Sequence, residues 1–415
     1  MIRLLTTTAT LACIGSLAAA TESTEVLTNY ADIAEAAYGD SLTTAKALDA
    51  AVDALIANPS EETLAAAKTA WLAARNPYQQ TEVFRFGNPI VDDWEGKVNA
   101  WPLDEGLIDY VDASYGGPTD ENELAALNVI ASPQLTIAGS EVDATEITPD
   151  LIADTLNEAD GIETNVARGY HAIEFLLWGQ DLHGNGPGAG ERPASDYIEG
   201  PGGTGGHNDR RRAYLKAATD LLVSDLEEMV GNWKPGVADN YRATLEGESG
   251  ESGLRKMLFG MGSLSLGELA GERMKVALEA NSSEDEHDCF SDNTHNSHFY
   301  NGLGIRNVYL GEYTRVDGSK VSGASLSSLV AKADAATDAT LRADLDDTQA
   351  KLQVIVDHAN KGEHFDQLIA AGNTAGNQVV RDAIAALVKQ TGAIEQAAGK
   401  LGITDLNPDN ADHEF

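Results

Sequence analysis

The sequence predicts an all-α fold of two helical bundles, and three observations carry that prediction. Alternation of apolar and polar residues with a period of two is short and rare along the chain. Eleven of the twelve prolines lie at or before Pro235, and the next is Pro408. The stretch between them is rich in Ala, Leu, Glu, Lys and Gln, all good helix formers. The 415 residues, 42% of them hydrophobic, suit two domains with sizeable cores.

Residues 1–20 read as an export signal. Met1-Ile2-Arg3 is a short positive start, Leu4 to Leu17 is apolar and small, and Ala18-Ala19-Ala20 suits cleavage before Thr21. The segment is Thr-rich and shorter than the roughly 20 apolar residues of a membrane span. Thr10-Leu11-Ala12-Cys13 opens the alternative of a lipoprotein cut at Cys13, although Thr10 stands where that signal prefers Leu. No later segment is apolar enough to span a bilayer. Cleavage after Ala20 leaves Cys289 alone, so stability must come from packing rather than a disulfide.

In chain order, Asn58-Pro59-Ser60-Glu61 marks a helix start, with Asn58 as N-cap and Pro59 in the first turn, leading through Trp71 and Ala74. Residues 87–120 hold Gly, Pro, Trp and acids and read as irregular. Residues 184–206 contain nine glycines and read as a long loop after one bundle. The expected division is therefore an N-terminal domain over 21–203 and a C-terminal domain over 204–415. Helical periodicity resumes at once: Tyr214, Ala218, Leu221, Leu222, Leu226, Met229 and Val230 share a face behind Asn208, the expected N-cap. Segments 324–358 and 376–400 are similarly amphipathic. An echo joins Pro77–Phe84 to Gly169–Leu176, each with Tyr at i and Glu at i+4 beside aromatics, but it covers only two of eight positions.

Charge narrows the partners. The chain has 28 Lys+Arg against 66 Asp+Glu, a formal net charge of −38. Such a surface repels phosphate backbones and anionic lipid, which excludes nucleic acid as a partner.

Four constellations carry chemistry. Gly169-Tyr170-His171-Ala172-Ile173-Glu174 places His171 and Glu174 at i and i+3 on one helix face. An imidazole and a carboxylate suit zinc or iron, and Gly169 admits another backbone close by. A satisfied His–Glu pair in the core is the alternative. The stretch Glu284–His295, with His298 beyond, is dense in O, N and S donors, yet it reads more readily as a loop than as a metal module. In Leu264–Met274, Gly267 and Gly271 sit one turn apart and would let a neighbouring helix approach. Glu268 and Glu272 are like charges at i and i+4 that call for a cation, with Arg273 the nearest. Arg75, Tyr78, Glu82 and Arg85 recur at helical spacing, with Asp92, Asp93, Asp104 and Glu105 close behind. They line either a polar cleft or ordinary surface. His-Glu-x-x-His is absent, Phe175 stands where the inverted motif needs His, and the glycine-rich segment lacks the Lys-Ser/Thr of a phosphate loop.

Taken together these blocks resemble the imelysin-like proteins, a family classed with the metallopeptidases that includes iron-regulated envelope proteins. Gly169-x-His171-x-x-Glu174 is similar to the family signature. Thr81–Gly87, Val98–Glu105, Gly267–Met274, His287–His295 and Gly304–Tyr309 also look like family blocks. The resemblance spans about residues 30 to 400 and is strongest to the iron-regulated protein A branch. It implies two helical-bundle domains related by a pseudo-repeat and a site between them built on His171 and Glu174. It further implies a periplasmic or outer-membrane-associated location and a part in iron uptake.

Two functions follow as expectations. The first is binding of a divalent or trivalent metal, iron or zinc, or of an iron-containing ligand, in company with envelope iron-transport components. The alternative is a metal-dependent peptidase at the same site. Glu82, Glu268 or Glu272 would then be the general base, and Arg273 would steady the oxyanion.

Overall fold

The computed structural model describes residues 8–120 and 122–415, with side chains described from residue 22 onward. The expected export signal, including Cys13, falls on residues whose side chains lie outside that description. The chain is 62% helix and 4% strand, so the all-α expectation holds.

The first bundle gathers the Thr8–Ala57, Glu61–Gln79, Gly169–Trp178 and Asn208–Trp233 helices. Leu27, Tyr30, Ala34, Ala37, Ser41, Ala45, Leu48, Val52 and Leu55, spaced by three or four, form the buried stripe of the long first helix. Leu64, Ala67, Trp71, Ala74 and Tyr78 answer from the second. That second helix starts two residues later than its sequence suggests. The Ser60 hydroxyl accepts from the Thr63 amide and Thr63 reaches back to the Ser60 amide, while Asn58 closes the preceding helix by donating its amide to Ala54 O.

The second bundle gathers Gly250–Ser263 with its continuation Leu264–Val276, then Thr294–Leu310, Ala335–Ala359 and Thr374–Lys400. Leu269, Met274, Leu352, Ile355, Leu368, Val380 and Leu387 fill a core of its own. The amphipathic stretch expected over 324–358 divides at Asp334, whose carboxylate caps the following helix through the amides of Ala336 and Thr337. Two short antiparallel hairpins, Gln134–Ile137 with Ser140–Asp143 and Glu312–Thr314 with Lys320–Ser322, decorate the bundles. Among the described residues, no helix is long and apolar enough to cross a membrane.

The two irregular regions differ from expectation in instructive ways. Residues 87–120 contain a regular helix, Pro89–Asn99, started by a proline in its first turn. The glycine-rich loop is open in composition but pinned by charge. Asp109 accepts from Arg192 at 2.7 Å and from Arg211 at 2.7 and 2.9 Å, all of them buried. Asn208 does not cap its helix; its amide donates to Ile198 O at 2.7 Å and holds the loop, and His207 takes the cap position.

Gly169 does what its place in the motif suggests. At φ +82° it lets the Gly169–Trp178 helix meet the Pro89–Asn99 helix so closely that a Cβ there would lie 2.5 Å from Val98 O. Gly267 and Gly271 also allow a close approach, but by the C-terminal tail rather than by a helix. Gly267 N donates to Asp409 O at 3.1 Å, and a Cβ on Gly271 would strike the His413 ring. An irregular tail can lay its own carbonyls against a glycine face, and no second helix is required. The two echo segments touch, with Tyr78 and Tyr170 ring centroids 4.8 Å apart. Replacing Gly169 by Ala combines backbone strain with a clash and should cost about 2–5 kcal/mol in urea denaturation. A cost below about 1 kcal/mol would show that the two helices can slide apart.

Candidate functional site

The helix Gly169–Trp178 is buried along its whole length, so both polar groups of the motif are desolvated. His171 Nδ1 lies 3.0 Å from Glu174 Oε2, and the other Glu174 oxygen accepts from the Ser291 amide at 3.0 Å and hydroxyl at 2.6 Å. Burial, then neighbouring Asp288, pushes the Glu174 carboxyl well above its usual range. Burial, then Arg75, brings His171 down to about 3. The imidazole is therefore neutral at neutral pH. Its Nε2 has no hydrogen-bond partner, and in the tautomer protonated at Nδ1 that nitrogen carries the lone pair.

That free nitrogen has company. Ligand atoms of His171, His287 and Asp288 all lie within 4.8 Å of one another, and all three residues are buried. The His171 and His287 rings are 4.9 Å apart, and His287 Nδ1 is also without a partner. The 281–293 segment is thus a loop, as expected, but a buried one: Glu286, His287 and Asp288 are each 1% exposed or less. Cys289 is buried and free, its thiol pushed up by burial.

Asp288 is held from several directions. Arg75 grips it at 2.6 and 3.3 Å, while Asn293 Nδ2 and the Ser297 hydroxyl donate at 2.8 and 2.5 Å. Burial alone would raise this carboxyl, but Arg75 outweighs it and brings it to about 2. Arg75 also donates to Asn99 at 2.6 Å, and Asn99 donates to Glu95 at 2.9 Å.

A second guanidinium closes the frame. The Leu264–Val276 segment is wound as a π-helix, with backbone bonds from i to i+5. This winding brings Arg273 over Glu268, its partner at 2.7 Å, five residues earlier. Arg273 also reaches Glu82 at 2.6 Å and Asn301 at 2.8 Å. The Gln79 amide sits between the two buried arginines, within reach of Arg75 and of Arg273. Burial raises Glu268, but Arg273 and Arg85 overcome it and hold the carboxyl below its usual range.

A cleft of about 400 Å³ opens beside this frame, lined by Glu268, Glu272, Arg273, Trp101, Glu95 and His287 among others. His287 thus stands between the cleft and His171. Glu272 reaches His413 of the tail at 2.9 Å. Of the remaining acids singled out in the sequence, Asp92 pairs with Arg85 at 3.1 Å. Asp104 accepts from Asn122 and Thr164 away from the cleft, and Asp93 faces solvent. Glu105 is buried, raised to about 7 by burial and by Glu284. The sequence did not reveal that Gln79, Asn99 and Asn301 bridge the charges. The one available signal was Arg75 on the apolar Trp71–Tyr78 stripe.

A charged frame joins the two helical bundles, with the buried rings of His171 and His287 at its head. The chain belongs to the imelysin family: the family model Peptidase_M75, Imelysin, matches residues 34–394. No curated protein sequence matches it significantly. Among solved structures it is similar to a protein described as an iron-regulated protein A precursor from Parabacteroides distasonis ATCC 8503. That likeness has TM-score 0.65 and 19% identity over 91% of this chain and 95% of that one. It is also similar to an imelysin-like protein from Psychrobacter arcticus 273-4, with TM-score 0.58 and 16% identity over 93% and 96% of the two chains. At these identities the likeness speaks for the fold.

One consequence concerns acid. His298 is fully buried, both ring nitrogens lack partners, and burial brings it down to about 3. Unfolded His298 takes a proton near pH 6.5, so acidification between 6.5 and about 3 favours the unfolded chain. His298→Leu should therefore lose about 2–3 kcal/mol less stability than the wild type between pH 7 and 4.5 in parallel urea titrations. Identical acid profiles would show that His298 is already protonated when folded.

Proposed function

We propose that this protein is an exported, cell-envelope metal-binding imelysin that takes part in iron uptake, holding iron, zinc or an iron-containing ligand at the head of the cleft. A single observation carries the reading. Two desolvated, neutral imidazoles with unpartnered nitrogens converge with Asp288, their ligand atoms within 4.8 Å. An unsatisfied buried nitrogen costs free energy, and a cation is the partner both rings and the carboxylate can share. Two nitrogens and one oxygen suit borderline transition metals such as Fe²⁺ and Zn²⁺.

In this reading His171, His287 and Asp288 are the ligands. Glu174 acts behind His171, orienting the ring and raising its basicity as a carboxylate behind a metal-bound histidine does. Arg75, Asn293 and Ser297 aim Asp288, and the cleft past His287 admits the metal or its chelate. The periplasmic or outer-membrane setting follows from the expected export signal, and the two-domain division belongs to the same proposal, with its boundary moved from 203/204 to beyond the Asn208–Trp233 helix, which packs in the first bundle. Partners would be envelope components that deliver or accept iron.

The peptidase reading takes second place on geometry. A general base needs an unengaged carboxylate next to the metal-bound water. Glu82 and Glu268 are committed to Arg273, and Glu272 lies beyond them with His413. Arg273, the candidate oxyanion donor, spends its guanidinium on the same carboxylates and on Asn301.

Elemental analysis of untagged, periplasmically expressed protein tests the proposal. Wild type should carry near-stoichiometric iron or zinc. His171→Ala and His287→Ala should each weaken reloading at least about tenfold, and Glu174→Gln should weaken it less than either. Equal metal content in wild type and both histidine variants would remove this site.

A further inference from the structure

A second acidic cluster lies outside the frame just described. The buried 281–293 loop, the Phe365–Ile369 helix and the start of the glycine-rich segment meet there. There Glu286, Asp292 and Asp366 place carboxylate oxygens within 4.8 Å of one another. Glu286 and Asp366 are fully buried, and Asp292 is 5% exposed.

These carboxylates are treated very differently from those at the first site. Asp288, two residues from Glu286, has four donors from three side chains on its oxygens. By contrast both oxygens of Glu286, both of Asp366 and one of Asp292 have no hydrogen-bond partner. The Thr294 hydroxyl, which accepts from the Asp288 amide, is the one side chain nearby whose proton favours the charged form of Glu286. Among the described residues no Lys or Arg pairs with any of the three, whereas every buried carboxylate of the frame except Glu174 has a guanidinium partner. Asp181, with one unpartnered oxygen, adds a fourth negative charge that acts on all three.

The neighbouring groups leave few alternatives. His364 is turned to the Asp292 carbonyl, with Nδ1 3.1 Å from that oxygen, and Asn185 donates to the Asp366 carbonyl at 2.8 Å. His364 and His183 still favour the charged form of Asp292 at a distance, and the Gln367 amide that of Asp366, but none of them supplies a hydrogen bond to the unpartnered oxygens. Several desolvated carboxylate oxygens this close together, with no hydrogen bond formed to them, are stable only with a cation among them or with protons on them.

We propose that Glu286, Asp292 and Asp366 form a second, structural site for a hard divalent cation, with Ca²⁺ as the preferred ion. The ligand set is all oxygen, which selects Ca²⁺ or Mn²⁺ over the softer ions suited to the histidine site. Mg²⁺ keeps most of its waters, which a cluster with two fully buried carboxylates accommodates poorly. The cation ties the loop that carries His287 and Asp288 to the second bundle through Asp366. The second site thereby sets the position of two ligands of the first, while standing on its own residues.

Calorimetry with CaCl₂ on chelator-treated protein at pH 7.5, beside thermal unfolding with and without Ca²⁺, tests this. Wild type and His171→Ala should both bind one Ca²⁺ saturably and gain several degrees in Tm. Asp366→Asn and Glu286→Gln should bind it at least about tenfold more weakly. Each variant should also unfold at a higher temperature than wild type in EDTA, because it removes a buried like charge. That last result shows that the variants fold and that the cluster is strained when empty. The proposal is overturned if wild type shows no saturable Ca²⁺ or Mn²⁺ binding, or if Ca²⁺ binding survives unchanged in Asp366→Asn. It is also overturned if Ca²⁺ binding disappears in His171→Ala, which would place the ion at the first site.

Discussion

Buried charge that must be paired is the constraint on which the rest of this structure depends. Arg75 and Arg273 are each 2% exposed or less, and an unpartnered guanidinium at such depth would cost several kcal/mol. Their partners come from far along the chain: Asp288 for Arg75, Glu82 and Glu268 for Arg273. Glu82 and Arg75 belong to the first bundle's second helix and its end, Arg273 and Asp288 to the second bundle and its loop. The two bundles therefore cannot separate without stranding charge. Gln79, Asn99 and Asn301 fill the remaining hydrogen-bond positions, so the frame is nearly saturated.

This saturation explains where reactivity is left over. Once the guanidiniums have claimed Asp288, Glu82 and Glu268, ring nitrogens of His171 and His287 are among the groups left without partners, beside the Tyr78 and Tyr170 hydroxyls. Formal charge is in excess on the acidic side: Arg75, Arg85 and Arg273 stand against Glu82, Asp92, Glu95, Glu174, Glu268 and Asp288. Burial raises the two carboxyls of this set that are least well paired, Glu95 and Glu174.

The π-winding of Leu264–Val276 decides which residues face each other. At 3.6 residues per turn Glu268 would meet Glu272, a repulsive pair. At i to i+5 it meets Arg273, and Glu272 turns to the tail, where His413 receives it. The glycines on this segment serve the same end, since Gly267 and Gly271 leave room for the tail to lie down.

Much of the fold was legible in the sequence because helices declare themselves locally. The stripe Leu64–Tyr78, the amphipathic 376–400 stretch and the close approach at Gly169 were all readable from spacing and residue type. The signature pair His171 and Glu174 was readable for the same reason, being three residues apart on one helix. What only the tertiary structure decided is the partner of each charge. Nothing in Glu284–His295 distinguishes a solvated acidic loop from a buried one, because burial depends on what packs above it. His287 and Asp288 become candidate ligands, and Glu286 a member of a second cluster, only when the 281–293 loop is clamped between Arg75 and the Phe365–Ile369 helix. Local periodicity records which face of a helix is apolar. It holds no record of a contact made across two hundred residues, and in this protein those contacts set the charges on which the chemistry rests.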